Sequence, residues 1–195
     1  RTGAAERKSR SELFGIQSWL ALPAPLEDTE PAFDHYPGDS LPEAEENGAH
    51  IRLIMGDAYG MASPVRTEWE TFYAEVKLNP GSKLPLPREI EERAIFVLSG
   101  NIELGGQSYG VRDMVVLAPG SDITIKAREA SHLMLLGGAA MDGPRIIWWN
   151  FVSSSLEKVR DAARRWSEGR FDPVPGDDQD FIPLPDSGQL EQVKP

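Results

Sequence analysis

The sequence predicts an all-β fold, a jelly-roll β-barrel followed by one α-helix and an extended tail, and three observations predict it. First, apolar residues between His50 and Phe151 fall in short runs: Ile51–Met55, Thr71–Leu78, Ala94–Leu98, Asn101–Leu104, Met114–Leu117, Ile123–Ala127, His132–Leu136 and Ile146–Phe151. Second, turn residues separate those runs, among them Asn79-Pro80-Gly81, Ser99-Gly100, Gly105-Gly106, Pro119-Gly120, Gly137-Gly138 and Gly143-Pro144. Strands this short and this evenly spaced belong to a sandwich or a small barrel, and a jelly roll closes them without long bare edges. Third, the pattern changes period at Ser154-Ser155-Leu156-Glu157, which has the form of a capping box. Leu156, Val159, Ala163 and Trp166 then repeat at helical spacing and make one apolar stripe, with Gly169 as the stop.

The elements follow in order. Residues 1–22 hold a charged, mobile start and then Phe14–Leu22, an apolar stretch that ends at Pro23 and reads as a strand. Residues 23–49 carry Pro23, Pro25, Pro31, Pro37 and Pro42 among many acids, which predicts an extended connector rather than a regular element. Residues 50–152 form the barrel, and residues 153–195 the helix and tail. The tail keeps Phe171, Val174, Phe181, Ile182 and Leu184 among Pro and Asp, so it is expected to strap onto a surface, while residues 186–195 are expected to fray. Trp148 and Trp149, placed in tandem on one strand, should point to opposite faces.

Composition limits the function. The chain has 195 residues, 40 % of them hydrophobic, and a net charge of −11. That charge argues against direct nucleic-acid binding, which needs clustered Lys and Arg. No apolar run approaches the roughly 20 residues of a membrane helix. With no Cys there is no disulfide framework, thiolate site or Cys nucleophile; a reducing, cytoplasmic location is the expectation. The chain begins at Arg1 rather than Met, and the tail of a longer protein is the favoured explanation.

The segment Gly81–Gly100 fits the spacing of the first cupin motif, where two His and one Glu converge on a metal. Counted from Gly81, the His positions are Pro87 and Glu89 and the Glu position is Arg93; the His of the second motif falls on Thr124. One carboxylate beside a permanent cation is not a ligand set for iron, zinc or nickel, so no metal is expected in this barrel. His35, His50 and His132 read as unrelated surface or strand histidines. Glu89, Glu91, Glu92 and Arg93 read as a solvated charged loop in preference to an acid–base pair. Ser153-Ser154-Ser155 lacks a local His and reads as a helix cap rather than a nucleophile.

Gly15-Ile16-Gln17-Ser18-Trp19-Leu20-Ala21-Leu22-Pro23 resembles the inter-domain segment of the pirin family. Phe96-Val97-Leu98-Ser99-Gly100, Leu135-Leu136-Gly137-Gly138, Ile147 to Ser155, Gly169-Arg170-Phe171 and Phe181 to Pro185 are similar to that family's second barrel, helix and tail, in order. The resemblance implies two cupin barrels, the first holding iron through three His and one Glu and the second metal-free. It also implies quercetin cleavage in some members and partner binding in transcription in a eukaryotic one. Most of the first barrel has no counterpart here: Ala4-Ala5-Glu6-Arg7 is similar to its ligand string and keeps only Glu6. The expectation is a structural or binding module whose partner is an N-terminal cupin barrel, another copy or another protein. The alternatives are part of a quercetin 2,3-dioxygenase-like oxidoreductase or a transcription-cofactor-like module.

Overall fold

The computed structural model describes Lys8, residues 14–173, Gly176 and residues 181–185. Glu6 and Val174 lie outside the described residues, as do residues 186–195. The elements in chain order are β1 (Glu43–Glu46), β2 (Ala49–Met55), β3 (Asp57–Ala58), β4 (Met61–Ala62), β5 (Thr71–Leu78), β6 (Lys83–Pro85) and β7 (Glu92–Ser99). They continue with β8 (Ile102–Leu104), β9 (Gln107–Tyr109), β10 (Met114–Leu117), β11 (Thr124–Ala127), β12 (Ser131–Gly138), β13 (Ile146–Trp148), β14 (Phe151–Ser153) and α1 (Leu156–Ser167). By contacts the chain divides into two units, Asp28–Met141 and Arg1–Glu27 with Asp142–Pro195.

Two antiparallel sheets build the unit Asp28–Met141. One runs β1-β2-β5-β12-β7-β10 and the other β6-β11-β8-β9. Their inner faces share one aliphatic core, because alternate residues of each strand turn inward: Phe72, Ala74, Val76 and Leu78 on β5, Ile95 and Val97 on β7, Ile125 and Ala127 on β11, Leu133 and Leu135 on β12. The expected barrel is not closed. Among the described residues no ladder joins the two sheets. A physical reason lies at the sheet edge: β6 ends at Pro85 and is followed by Pro87, and neither residue has an N–H to offer a new neighbour.

The connector is more ordered than its composition predicts. It contains 3-10 turns at Ala24–Leu26 and Gly38–Ser40, and the edge strand β1. The turn from β1 to β2 is Asn47-Gly48 with both φ positive, 51° and 78°, the geometry of a two-residue hairpin loop.

In the other unit, Phe14–Leu22 forms no strand; its backbone has no ladder partner among the described residues. The run Ile146–Phe151 is not one strand either. It is the hairpin β13–β14, with Trp149 at the turn in the left-handed region (φ 50°). Trp148 is buried beside Val159 and Ala163 of α1, and Trp149 meets Trp166 edge-on at 5.3 Å. The two indoles do not go to opposite faces: the turn at Trp149 breaks the alternation, and the rings meet at 6.5 Å in one aromatic cluster with Phe151. The N-cap of α1 is Ser155, whose Oγ accepts from the Lys158 N–H; Ser154, the expected cap, bonds elsewhere. At the other end Gly169 (φ 67°) lets the Arg170 N–H reach the Arg165 carbonyl at 2.8 Å. The tail straps back onto the helix: Phe171 stacks on Phe151, Phe181 stacks on Trp166, and Trp166 Nε1 donates to the Ile182 carbonyl. No helix among the described residues is long and apolar enough to cross a membrane.

Candidate functional site

The four positions counted from the cupin spacing do not converge. Pro87 is buried, and Glu89 is exposed in the turn between β6 and β7. Thr124 is exposed because β11 turns Ile125 and Ala127 inward, so its odd neighbours define the core face and Thr124 faces out. Arg93 alone points into the sandwich, sharing the inner face of β7 with Ile95 and Val97 at 3 % exposure. It is therefore not part of a solvated loop.

Arg93 sits in a cross-strand row of the six-stranded sheet. Phe72 pairs with Gly137, Gly137 with Arg93, and Arg93 with Leu117. The guanidinium reaches past the sheet edge to two loops that border the four-stranded sheet. Its Nη1 donates to the Pro87 carbonyl at 3.2 Å, and its Nη2 to the Ser121 carbonyl at 2.7 Å and to Ser121 Oγ at 3.2 Å. Ser121 Oγ in turn donates to the Ala118 carbonyl. Arg93 Nε is buried with no hydrogen-bond partner. Among the described residues Arg93 takes part in no ion pair shown, and Glu91 accepts the Ala140 N–H.

The same end of the sandwich is covered by the β3–β4 hairpin. Tyr59, at its tip with φ 53°, packs on Phe72 at 6.4 Å, and its hydroxyl donates to the Pro85 carbonyl at 3.1 Å. Burial, with the charges of Glu89 and Glu46 nearby, pushes its phenol above the ordinary value. A guanidinium, carbonyls and a protonated phenol offer no ligand set for a divalent metal, and the fixed positive charge opposes one. Among the described residues no group of three His, Asp or Glu is placed to hold a metal ion.

Two of the three histidines, expected to be unrelated, belong to one hydrogen-bonded network. His35 is exposed, His50 bonds Glu43 at 3.2 Å and His132 bonds Glu75 at 2.8 Å. What the sequence does not show is that Arg52 bridges both glutamates, so His50, Glu43, Arg52, Glu75 and His132 form one charged ladder across β1, β2, β5 and β12. The Arg52 hydrogen bond holds the Glu43 carboxyl below its usual value. Burial alone would raise Glu75, but the His132 hydrogen bond and the Lys77, His132 and Arg52 charges outweigh it and hold it low.

The other unit has its own buried polar centre. Glu27 pairs with Arg145 Nε at 2.9 Å, both side chains less than a tenth exposed, and accepts from Ser153 Oγ, Ser154 N–H and Ser154 Oγ. Arg145 also holds the Leu22 carbonyl and Asp142. The serines are thus anchors for Glu27 and a helix cap, not a nucleophile. Sequence separations of well over a hundred residues hide this centre from any local motif.

The comparisons with known proteins agree with this architecture. A family profile for the pirin C-terminal cupin domain matches residues 73–172. A pirin-like protein of Caulobacter vibrioides is 40 % identical over 92 % of the chain, and human pirin 26 % identical over 79 %. A solved quercetin 2,3-dioxygenase of Acinetobacter baumannii superposes with a TM-score of 0.76 over 86 % of the chain at 26 % identity. The chain spans 62 %, 56 % and 56 % of these three proteins, less than two thirds of each.

Proposed function

Because this chain belongs to the pirin family and carries its C-terminal cupin domain, we propose that it acts as a metal-free structural and binding module that pairs with an iron-binding first barrel. One observation carries the reading: the interior position that the cupin spacing reserves for a ligand carboxylate holds the buried Arg93 guanidinium, braced by carbonyls. A permanent cation there disfavours a second one. The unit that contains α1 supports the pairing half of the proposal. It leaves Ile16, Trp19, Leu20, Phe181 and Ile182 exposed, more apolar surface than a small unit keeps without a partner. More than a third of each relative's own length lies outside the match and could supply that partner.

Size-exclusion chromatography with light scattering tests the pairing. The chain alone should self-associate or bind an apolar dye, and adding the separately produced N-terminal barrel of the Caulobacter relative should give a one-to-one complex that no longer binds dye. A monomer without dye binding, indifferent to that barrel, would refute it.

A second reading is part of a quercetin 2,3-dioxygenase-like oxidoreductase, favoured by the likeness to the Acinetobacter enzyme over most of this chain. Oxygen uptake with flavonols separates the two. The first reading predicts no uptake, with or without the added iron-bearing barrel; uptake that appears only when that barrel is supplied would favour the second.

A further inference from the structure

We propose that Arg93 anchors an internal binding site for one small monovalent anion, of halide or formate size, at the end of the sandwich covered by Tyr59. A guanidinium has five N–H donors and a full positive charge, and a buried charge is ordinarily paired. Here only the Nη groups are hydrogen-bonded, and the charge is not matched. Pro87 and Ser121 contribute only neutral oxygens, and Nε–H is left without an acceptor although the side chain is 97 % buried by its 3 % exposure. The acids nearest in sequence do not serve: Glu89 and Glu92 are exposed, and Glu91 is engaged with Ala140.

The surroundings set the ligand class. Ile90, Ile95, Phe72 and Leu117 are apolar neighbours in the core cluster or beside it, so a polyanion or a bulky acid would be poorly accommodated. One acceptor atom with one negative charge completes both the open N–H and the charge. The β3–β4 hairpin, two residues per strand, closes this end through the contacts of Tyr59 with Phe72 and the Pro85 carbonyl. This inference does not depend on the pairing proposed above, because every residue it uses lies in Asp28–Met141.

Thermal unfolding of the full chain tests it. Sodium chloride and sodium formate are titrated at constant ionic strength, with sodium gluconate making up the balance. The midpoint should rise saturably with either small anion, as for a ligand bound to the native state, and the rise should vanish in Arg93→Gln and Arg93→Met. An equal rise in those variants, or no anion-specific rise in the unaltered chain, overturns the site. Should the variants fail to fold, the chloride nuclear resonance of the unaltered chain decides. Excess line broadening removed by formate but not by gluconate is expected, and its absence rejects the proposal.

Discussion

Ser154 and Ser155 are adjacent and chemically identical, yet their hydroxyls serve different ends. Ser155→Ala removes the N-cap acceptor of the Lys158 N–H and should lower stability by about 1 kcal/mol in urea unfolding. Ser154→Ala should leave the helix capped and instead weaken the hold on Glu27. Glu27 itself carries a pH dependence. Burial would raise its pKa, but the Ser154 N–H, the two serine hydroxyls and Arg145 outweigh that and hold it below its ordinary 4.5. A depressed folded value means that its contribution is present above the unfolded pKa and is lost as pH falls through the folded one. Trp fluorescence of a Trp69→Phe background, which leaves Trp19, Trp148, Trp149 and Trp166 of this unit, should therefore show acid loosening that begins below about pH 4.5. Glu27→Gln should already be weakened at neutral pH by roughly 1–3 kcal/mol, because Arg145 keeps only Asp142 as a carboxylate partner, and should lack that acid step. A variant as stable as the parent would remove Glu27 from the account.

At the scale of elements, β5 and β10, which set alternate residues against the core, are legible, and β1, which sets none there, is not. β5 and β10 lie where alternation and turn residues place them. β1 reads Glu-Ala-Glu-Glu with no buried residue, so hydropathy carries no trace of it; the Asn47-Gly48 pair was the available signal. Phe14–Leu22 shows the converse error, since apolar content alone does not place a segment in a sheet. Trp149 failed for a third reason: a left-handed residue ended a strand inside an apolar run without Gly or Pro to announce it. The account of β1 is testable. Gly48 is at φ 78°, and a Cβ there would stand 2.5 Å from Ser82 Oγ, so Gly48→Val should strain the turn by about 1 kcal/mol or more. Amide hydrogen exchange should then speed up in β1 and its partner positions on β2 while β7 and β12 stay protected. Unchanged protection in β1 would show that the turn does not hold it.

For the whole molecule, spacing and resemblance identified the family and the cupin framework, but not the state of its interior. Counting from Gly81 reached Arg93 correctly, yet treated it as one of four converging positions. Only the fold shows that Thr124 and Glu89 face out while Arg93 faces in. The buried cation at the ligand position makes the central claim a claim about metal content. Metal analysis of the purified 195-residue chain after incubation with ferrous iron and desalting tests it most directly. The account predicts iron far below one equivalent, and equally low in Arg93→Gln; one equivalent of iron bound by the unaltered chain would contradict it.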